Sequence, residues 1–176
     1  AFGTAALREA RNSATLISKV LEKTGIEIQI ISGEREAQLI ARGIIANEKE
    51  AGLSERTLLV DIGGGSTELS VVEKQRVTFS TSLALGTTRL QEVFLREAPP
   101  SRRDLRRLRE HVAELLEAQV PFQKIGKVRR LMGSSGTVRS LARMLGEDGE
   151  AFSSHALTEL VEGMSEMTPG ELLRVS

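Results

Sequence analysis

LLVDIGGGSTELSVVE, residues Leu58 to Glu73, places three consecutive glycines between an apolar run ending on Asp61 and a second apolar run that follows almost at once. A dinucleotide-binding fingerprint runs from strand into helix with its glycines spaced G-x-G-x-x-G, whereas here the loop leads into the strand pattern STELSVV. A Walker A loop needs Gly-Lys-Ser/Thr, and no lysine follows these glycines. What remains is a β-turn-β loop. Successive backbone N–H groups without Cβ atoms can converge on an anion as a nest, and Ser66 and Thr67 add hydroxyl donors at the same point. Asp61 and Glu68 put carboxylates beside that anion, and two acids beside a phosphate call for a bridging cation, so Mg²⁺ is implied. A plain hairpin turn would need fewer glycines and none of these flanking groups.

Outward from the loop, TLLVDI, STELSVVE and RVTFSTSLALG read as three strands, the last two joined by a tight turn near Lys74 and Gln75. Two helices follow, TTRLQEVFLRE and a longer one after Pro99-Pro100 with Ser101 and Asp104 at capping-box spacing. Leu105, Leu108, Val112, Leu115 and Leu116 form the apolar stripe of the longer helix. KVRRLMG is a short strand, GSSGTVRSLARML a glycine turn into a helix, and the tail is helical with a break at Pro169-Gly170. Upstream, Asn12 or Ser13 caps a helix stopped by Gly25, IEIQII is a strand, and Ser32 caps a helix running to about Asn47. The order β-β-β-α-α-β-α from Thr57 predicts an α/β fold, a mixed sheet flanked by helices. Residues 1–53 read as the closing part of a preceding lobe and 54–176 as a second lobe. AFGTAALREA reads as a strand end and loop already in mid-fold, so the chain is expected to be a fragment.

Composition narrows the function. Lys plus Arg and Asp plus Glu are 24 each, so any anion must be recognised locally and not by a global field. There is no cysteine, which excludes disulfides and thiolate chemistry. Aromatic residues are 3% with no Trp or Tyr, which argues against nucleic-acid stacking platforms. No apolar run approaches membrane-spanning length, so neither membrane nor nucleic acid is an expected partner and a cytoplasmic location is expected.

Three further stretches carry chemistry. In ISGEREAQLIARGI, Glu36 shares a helical face with Leu39, Ile40, Gly43 and Ile44, while Glu34 falls opposite. A first-turn acid complements the helix dipole, which accounts for Glu34; a carboxylate centred on the apolar stripe suits a general base, which favours Glu36. In FGTAALREA, Arg8 lies in a glycine-containing turn with Thr4 and could clamp a phosphate oxygen, although a lone arginine is as often a surface residue. In MGSSGTVRS, Gly133, Ser134, Ser135, Gly136 and Thr137 open a helix after a strand. Alone that is a capped helix; paired with DIGGGST it becomes a second wall of a cleft. Arginines 102, 103, 106, 107 and 109 precede Glu110, Glu114 and Glu117 on one helix, which reads as a solvated mixed-charge face. His111 and His155 have no partners at metal-ligand spacing.

Together FGTAALREA, IISGEREAQLIARGI, LLVDIGGGSTELSVVE, SLALGTTRL and LMGSSGTVRSLARM resemble the exopolyphosphatase and guanosine pentaphosphate phosphatase family, of the actin-like, ribonuclease H-like fold. The resemblance implies a two-lobed enzyme removing terminal phosphates from polyphosphate or guanosine pentaphosphate with Mg²⁺ and water. By position, Glu36 matches the family's catalytic base. Asp61 and Gly63, Gly64, Gly65, Ser66 and Thr67 match its second phosphate loop, Glu68 an acid placed for metal or water, and Arg8 a phosphate-contacting arginine. The family's first phosphate loop, of the D-x-G-S-N-S kind, has no counterpart here, so this chain is expected to hold the end of the first lobe and most of the second. An unpaired edge at residues 26–31 would favour self-association, hence a homodimer. Rival readings are a non-catalytic polyphosphate or guanosine-phosphate sensor, and an ATP-using phosphotransferase of the same superfamily.

Overall fold

The computed structural model describes residues 1–47, 53, 55–97, 99–145, 151–168, 170–171 and 174. The expected lobe boundary after residue 53 abuts undescribed positions, and Pro169 of the expected helix break lies outside the described residues.

Three strands do follow one another from Thr57: β3 (Thr57–Ile62), β4 (Thr67–Glu73) and β5 (Arg76–Leu83). They form an antiparallel meander, and β6 (Arg130–Ser134) adds parallel to β3, giving the order β5-β4-β3-β6 in a mixed sheet. Lys74 and Gln75, at φ 50 and 61, make the two-residue hairpin, both in the left-handed region that such a turn requires for its twist to match the strands.

Period-two alternation sorts the sheet into two unlike faces. Leu69, Val71 and Leu83 point to one side and are buried there with Leu85, Val120 and Ile125. That side is covered by α4 (Thr87–Phe94), α5 (Arg102–Gln119) and α6 (Phe122–Ile125), through Leu90, Val112, Leu115, Leu116 and Ile125. Of the predicted α5 stripe, Leu105 and Leu108 lie away from this core and are half-buried. Ser101 caps α5 as its spacing predicts, its Oγ accepting from the Asp104 amide at 3.1 Å.

The opposite face carries Leu59 and Val72 at one end and Asp61 and Glu68 at the other. Helix α3 (Gly33–Asn47) lies across it, burying Ala37 and Ala41 completely, with Ile44 and Ile45 packed against Leu59 and Val72. The face of α3 laid on the sheet is therefore Ala37, Ala41, Ile44 and Ile45; of the predicted Leu39, Ile40, Gly43 and Ile44 only Ile44 belongs to it, Leu39 and Ile40 being half-buried elsewhere and Gly43 exposed. The reason is the sheet surface beneath: Ser70 donates to the Ala37 carbonyl at 3.4 Å, and so close an approach admits only small side chains. Ser32 caps this helix, its Oγ accepting from the Arg35 amide at 3.1 Å.

Before α3 comes a smaller unit. β1 (Phe2–Gly3) pairs in parallel with β2 (Gln29–Ile30), enclosing α1 (Ala5–Glu9) and α2 (Ser13–Thr24). The predicted strand 26–31 shortens to two residues, and the predicted loop around Arg8 is a short helix. Gly25, at φ 68, ends α2 as expected. After β6, α7 (Ser135–Met144) returns toward β3, and α8 (Ser154–Glu166) follows. No helix among the described residues is long and apolar enough to cross a membrane.

Candidate active site

Pairing across the sheet assembles one polar row. Asp61 of β3 stands opposite Glu68 of β4 and beside Ser134 of β6, and Glu68 stands opposite Ser82 of β5. All four side chains therefore point to the α3 side. Ser134 Oγ donates to Asp61 Oδ2, and Ser82 Oγ donates to Glu68 Oε1 at 2.7 Å. Glu68 is only 4% exposed.

Burial pushes the Glu68 carboxyl above the ordinary carboxylate range; hydrogen bonds from Ser82 and Ser66 oppose the shift, and the charges of Glu36 and Asp61 add to it. A raised folded-state value means that stability is fully present below the unfolded value and is lost as pH rises through the folded one. In metal-free protein, Glu68→Gln should therefore raise the urea midpoint at pH 7, with the gain shrinking toward pH 4. A gain equal at both pH values would show that the charge is not the cause.

The N-terminus of α3 brings the third acid. Gly33 sits against β5 so closely that a Cβ there would lie 2.5 Å from the Ser82 Cβ, so the helix start is set directly on Ser82. One turn on, Glu36 Oε2 accepts from Arg8 Nη1 at 3.2 Å, with the two side chains 14% and 25% exposed. The same Nη1 donates to the Ile31 carbonyl at 2.9 Å. Arg8 thus binds the predicted base, and with its Nη2 beside Gly33 it lines a cleft of about 400 Å³. Gly33, Glu34, Ser66, Ser82, Leu83 and Ala84 also line this cleft.

The glycine loop is held differently from the expected nest. None of Gly63, Gly64 and Gly65 has a positive φ, so the loop is not the alternating right- and left-handed backbone of a nest. Its glycines serve close approach: a Cβ on Gly65 would lie 3.0 Å from the Ala5 Cβ, and one on Gly64 3.1 Å from Thr88 Oγ1. The loop is thus pressed between α1 and the start of α4. Its carbonyls are all taken by α4: Gly63 O by the Thr87 amide at 2.9 Å, Gly64 O by the Arg89 amide at 3.2 Å, and Gly65 O by Arg89 Nε at 2.9 Å. Arg89 also donates through Nη2 to Glu9.

The other predicted residues divide. Ser66 is buried beside Glu68 and enters the cleft. Thr67 is turned to the opposite face, its hydroxyl donating to the Leu85 carbonyl at 2.7 Å. Of the second loop, Ser134 joins the acid row, whereas Thr137 donates to the Ile62 carbonyl at 3.0 Å and Gly133 makes room for Val138. Gly136 is exposed. Ser135 begins α7 at φ 89 with its Oγ buried and without a hydrogen-bond partner among the described residues. A non-glycine residue there stores roughly 1–3 kcal/mol. Sequence reasoning missed Ser82 and Arg89. Both stand in SLALGTTRL, and only strand register and the tertiary position of the loop give them partners.

As a donor set for Mg²⁺, Asp61 and Glu68 fit the usual pattern of one or two carboxylates completed by water and phosphate. No cluster of three or more His, Cys, Asp or Glu among the described residues is placed to cage a metal alone. His111 packs against Phe94 in a tilted arrangement with ring centroids 5.0 Å apart, and His155 lies 3.5 Å from Glu159.

A sequence model of the Ppx/GppA phosphatase family matches residues 1–176. The chain is 35% identical over 178 residues to Exopolyphosphatase 1 of Mycobacterium tuberculosis, covering 96% of this chain and 51% of that protein. It is 35% identical over 156 residues to the guanosine-5'-triphosphate,3'-diphosphate pyrophosphatase of Vibrio vulnificus, covering 88% and 31%. A crystal structure of an exopolyphosphatase from Cytophaga hutchinsonii superposes with a TM-score of 0.84 at 27% identity, over 99% of this chain and 59% of that one. The chain thus spans about half the length of the mycobacterial relative.

Proposed function

This chain belongs to the Ppx/GppA phosphatase family, and from that premise we propose that the whole protein hydrolyses the terminal phosphoanhydride bond of inorganic polyphosphate or of guanosine pentaphosphate. The observation that carries the reading is the acid row Asp61–Glu68, flanked by Ser134 and Ser82, with Glu36 near enough for its charge to act on Glu68 and with Arg8, Ser66 and Ser82 lining the adjoining cleft.

Each residue has a task. Glu36 takes a proton from water as the water oxygen attacks the terminal phosphorus in line. The bridging P–O bond breaks, releasing orthophosphate and a chain one phosphate shorter. Arg8 has its Nη1 committed to Glu36 and Ile31, which orients the base and leaves the rest of its fork for a phosphate oxygen. Loop amides, and the Ser66 hydroxyl once it turns from Glu68, hold charge on the phosphoryl oxygens. Asp61 and Glu68 would hold Mg²⁺, which when bound neutralises phosphate charge. Ser134 and Ser82 keep the two carboxylates oriented. The first lobe is proposed to end, and the second to begin, between α3 and β3, although α3 itself packs on the second sheet. A second copy is the proposed protein partner, with exposed Ile26 and Ile30 as apolar contacts.

The test is orthophosphate release from long-chain polyphosphate, tripolyphosphate, guanosine pentaphosphate and ATP, with and without Mg²⁺. Release from polyphosphate or guanosine pentaphosphate is expected. Phosphoryl transfer from ATP to an acceptor would favour a phosphotransferase. Tight binding without release in the whole protein would favour a sensor.

A further inference from the structure

We propose that Arg89 is a positioning residue that turns the glycine-loop amides toward the cleft and ties that loop to the helix bearing Arg8, so that one phosphate meets both. This rests on the phosphatase reading above and deepens it.

Three consecutive carbonyls, of Gly63, Gly64 and Gly65, point at the first turn of α4. In a trans peptide the C=O and the following N–H point in opposite directions. The amides of Gly64, Gly65 and Ser66 therefore face away from α4, and Ser66, at the end of the loop, lines the cleft. Two of the three carbonyls are held by Arg89 alone, Gly64 through its backbone and Gly65 through its side chain. The main-chain bonds would persist in any variant, so the side chain specifically sets the Gly65–Ser66 peptide.

The second arm of Arg89 reaches Glu9, adjacent to Arg8 in α1. Glu9 and Arg89 are far apart in sequence, and the fork joins α1 to the start of α4. Arginine suits the task because its planar fork serves two acceptors at fixed angles, which the single point charge of lysine does not. Both partners are partly solvent-exposed, at 33% and 49%, so the pair adds little to global stability. Its value is orientation.

The experiment titrates inorganic tripolyphosphate into wild type, Arg89→Gln, Arg89→Lys and Glu9→Gln without Mg²⁺, following heat and the ¹⁵N amide signals of Gly64, Gly65 and Ser66. Arg89→Gln should weaken binding by about tenfold, the loss of one charge-assisted hydrogen bond, and abolish the ligand-induced shift of Ser66 while leaving the melting temperature nearly unchanged. Arg89→Lys should recover only part of the affinity. Glu9→Gln should weaken binding less and keep the Ser66 shift. Wild-type affinity and wild-type loop shifts in Arg89→Gln would overturn the proposal. If wild type itself bound no tripolyphosphate, the phosphatase reading would fall. The heteronuclear NOE of the loop amides would then decide the clamp, being lowered in Arg89→Gln if it holds and unchanged if it does not.

Discussion

Glu36→Gln is expected to lower phosphate release by about 10²–10⁴-fold while leaving polyphosphate binding intact. The amide keeps the size of the side chain and still offers an oxygen to Arg8, now bonded at 3.2 Å, so the arginine stays in place. What is lost is the capacity to take a proton from water. Because the substitution also removes a negative charge beside the cleft-lining Arg8, the polyanion should bind at least as well as before. The separation is the diagnostic: KM, or the dissociation constant of a non-hydrolysed analogue, unchanged or lower, with kcat collapsed. Retained turnover would remove Glu36 from the base position.

Gly86→Ala should destabilise the fold by about 1–3 kcal/mol or more and displace the glycine loop. Gly86 has φ −79 and ψ 151, angles open to any residue, so no backbone strain is involved. The obstacle is space. A Cβ there would lie 2.2 Å from the Gly64 oxygen and 2.3 Å from the carbonyl carbons of Gly64 and Gly65. These are backbone atoms with no rotamer to escape into, and the loop cannot retreat because Ala5 closes its other side. Urea unfolding reads the stability loss and tripolyphosphate titration the displaced loop. A variant with wild-type midpoint and affinity would show that the loop and α4 do not touch as described.

The contrast between these two residues shows what could be read in advance. Glu36 stood out because a carboxylate broke an apolar helical pattern, a signal that survives in one dimension. Gly86 sat in the quoted stretch SLALGTTRL with nothing to mark it, since its reason is contact with Gly64. Ser82 was hidden similarly: a serine in a polar strand gains meaning only when register sets it opposite Glu68. The stripe of α3 was misplaced for a related reason. Hydropathy ranks Leu39 and Ile40 above Ala37 and Ala41, but closest approach to a sheet selects the smallest side chains.

From the sequence alone came the element order around DIGGGSTE, the strand-loop-strand context that excluded dinucleotide and Walker loops, and the acids that make an anion site chemically sensible. Those are local properties: period, turn chemistry and residue type within a few positions. Tertiary structure decided how the site is assembled. Register across four strands aligned Ser134, Asp61, Glu68 and Ser82, burial raised the Glu68 carboxyl, and the packing of α1 and α4 gave the three glycines their purpose. The loop that defined the fold in sequence needs its glycines for the closeness of its neighbours and not for its own backbone angles, and closeness between distant segments is what a linear pattern does not encode.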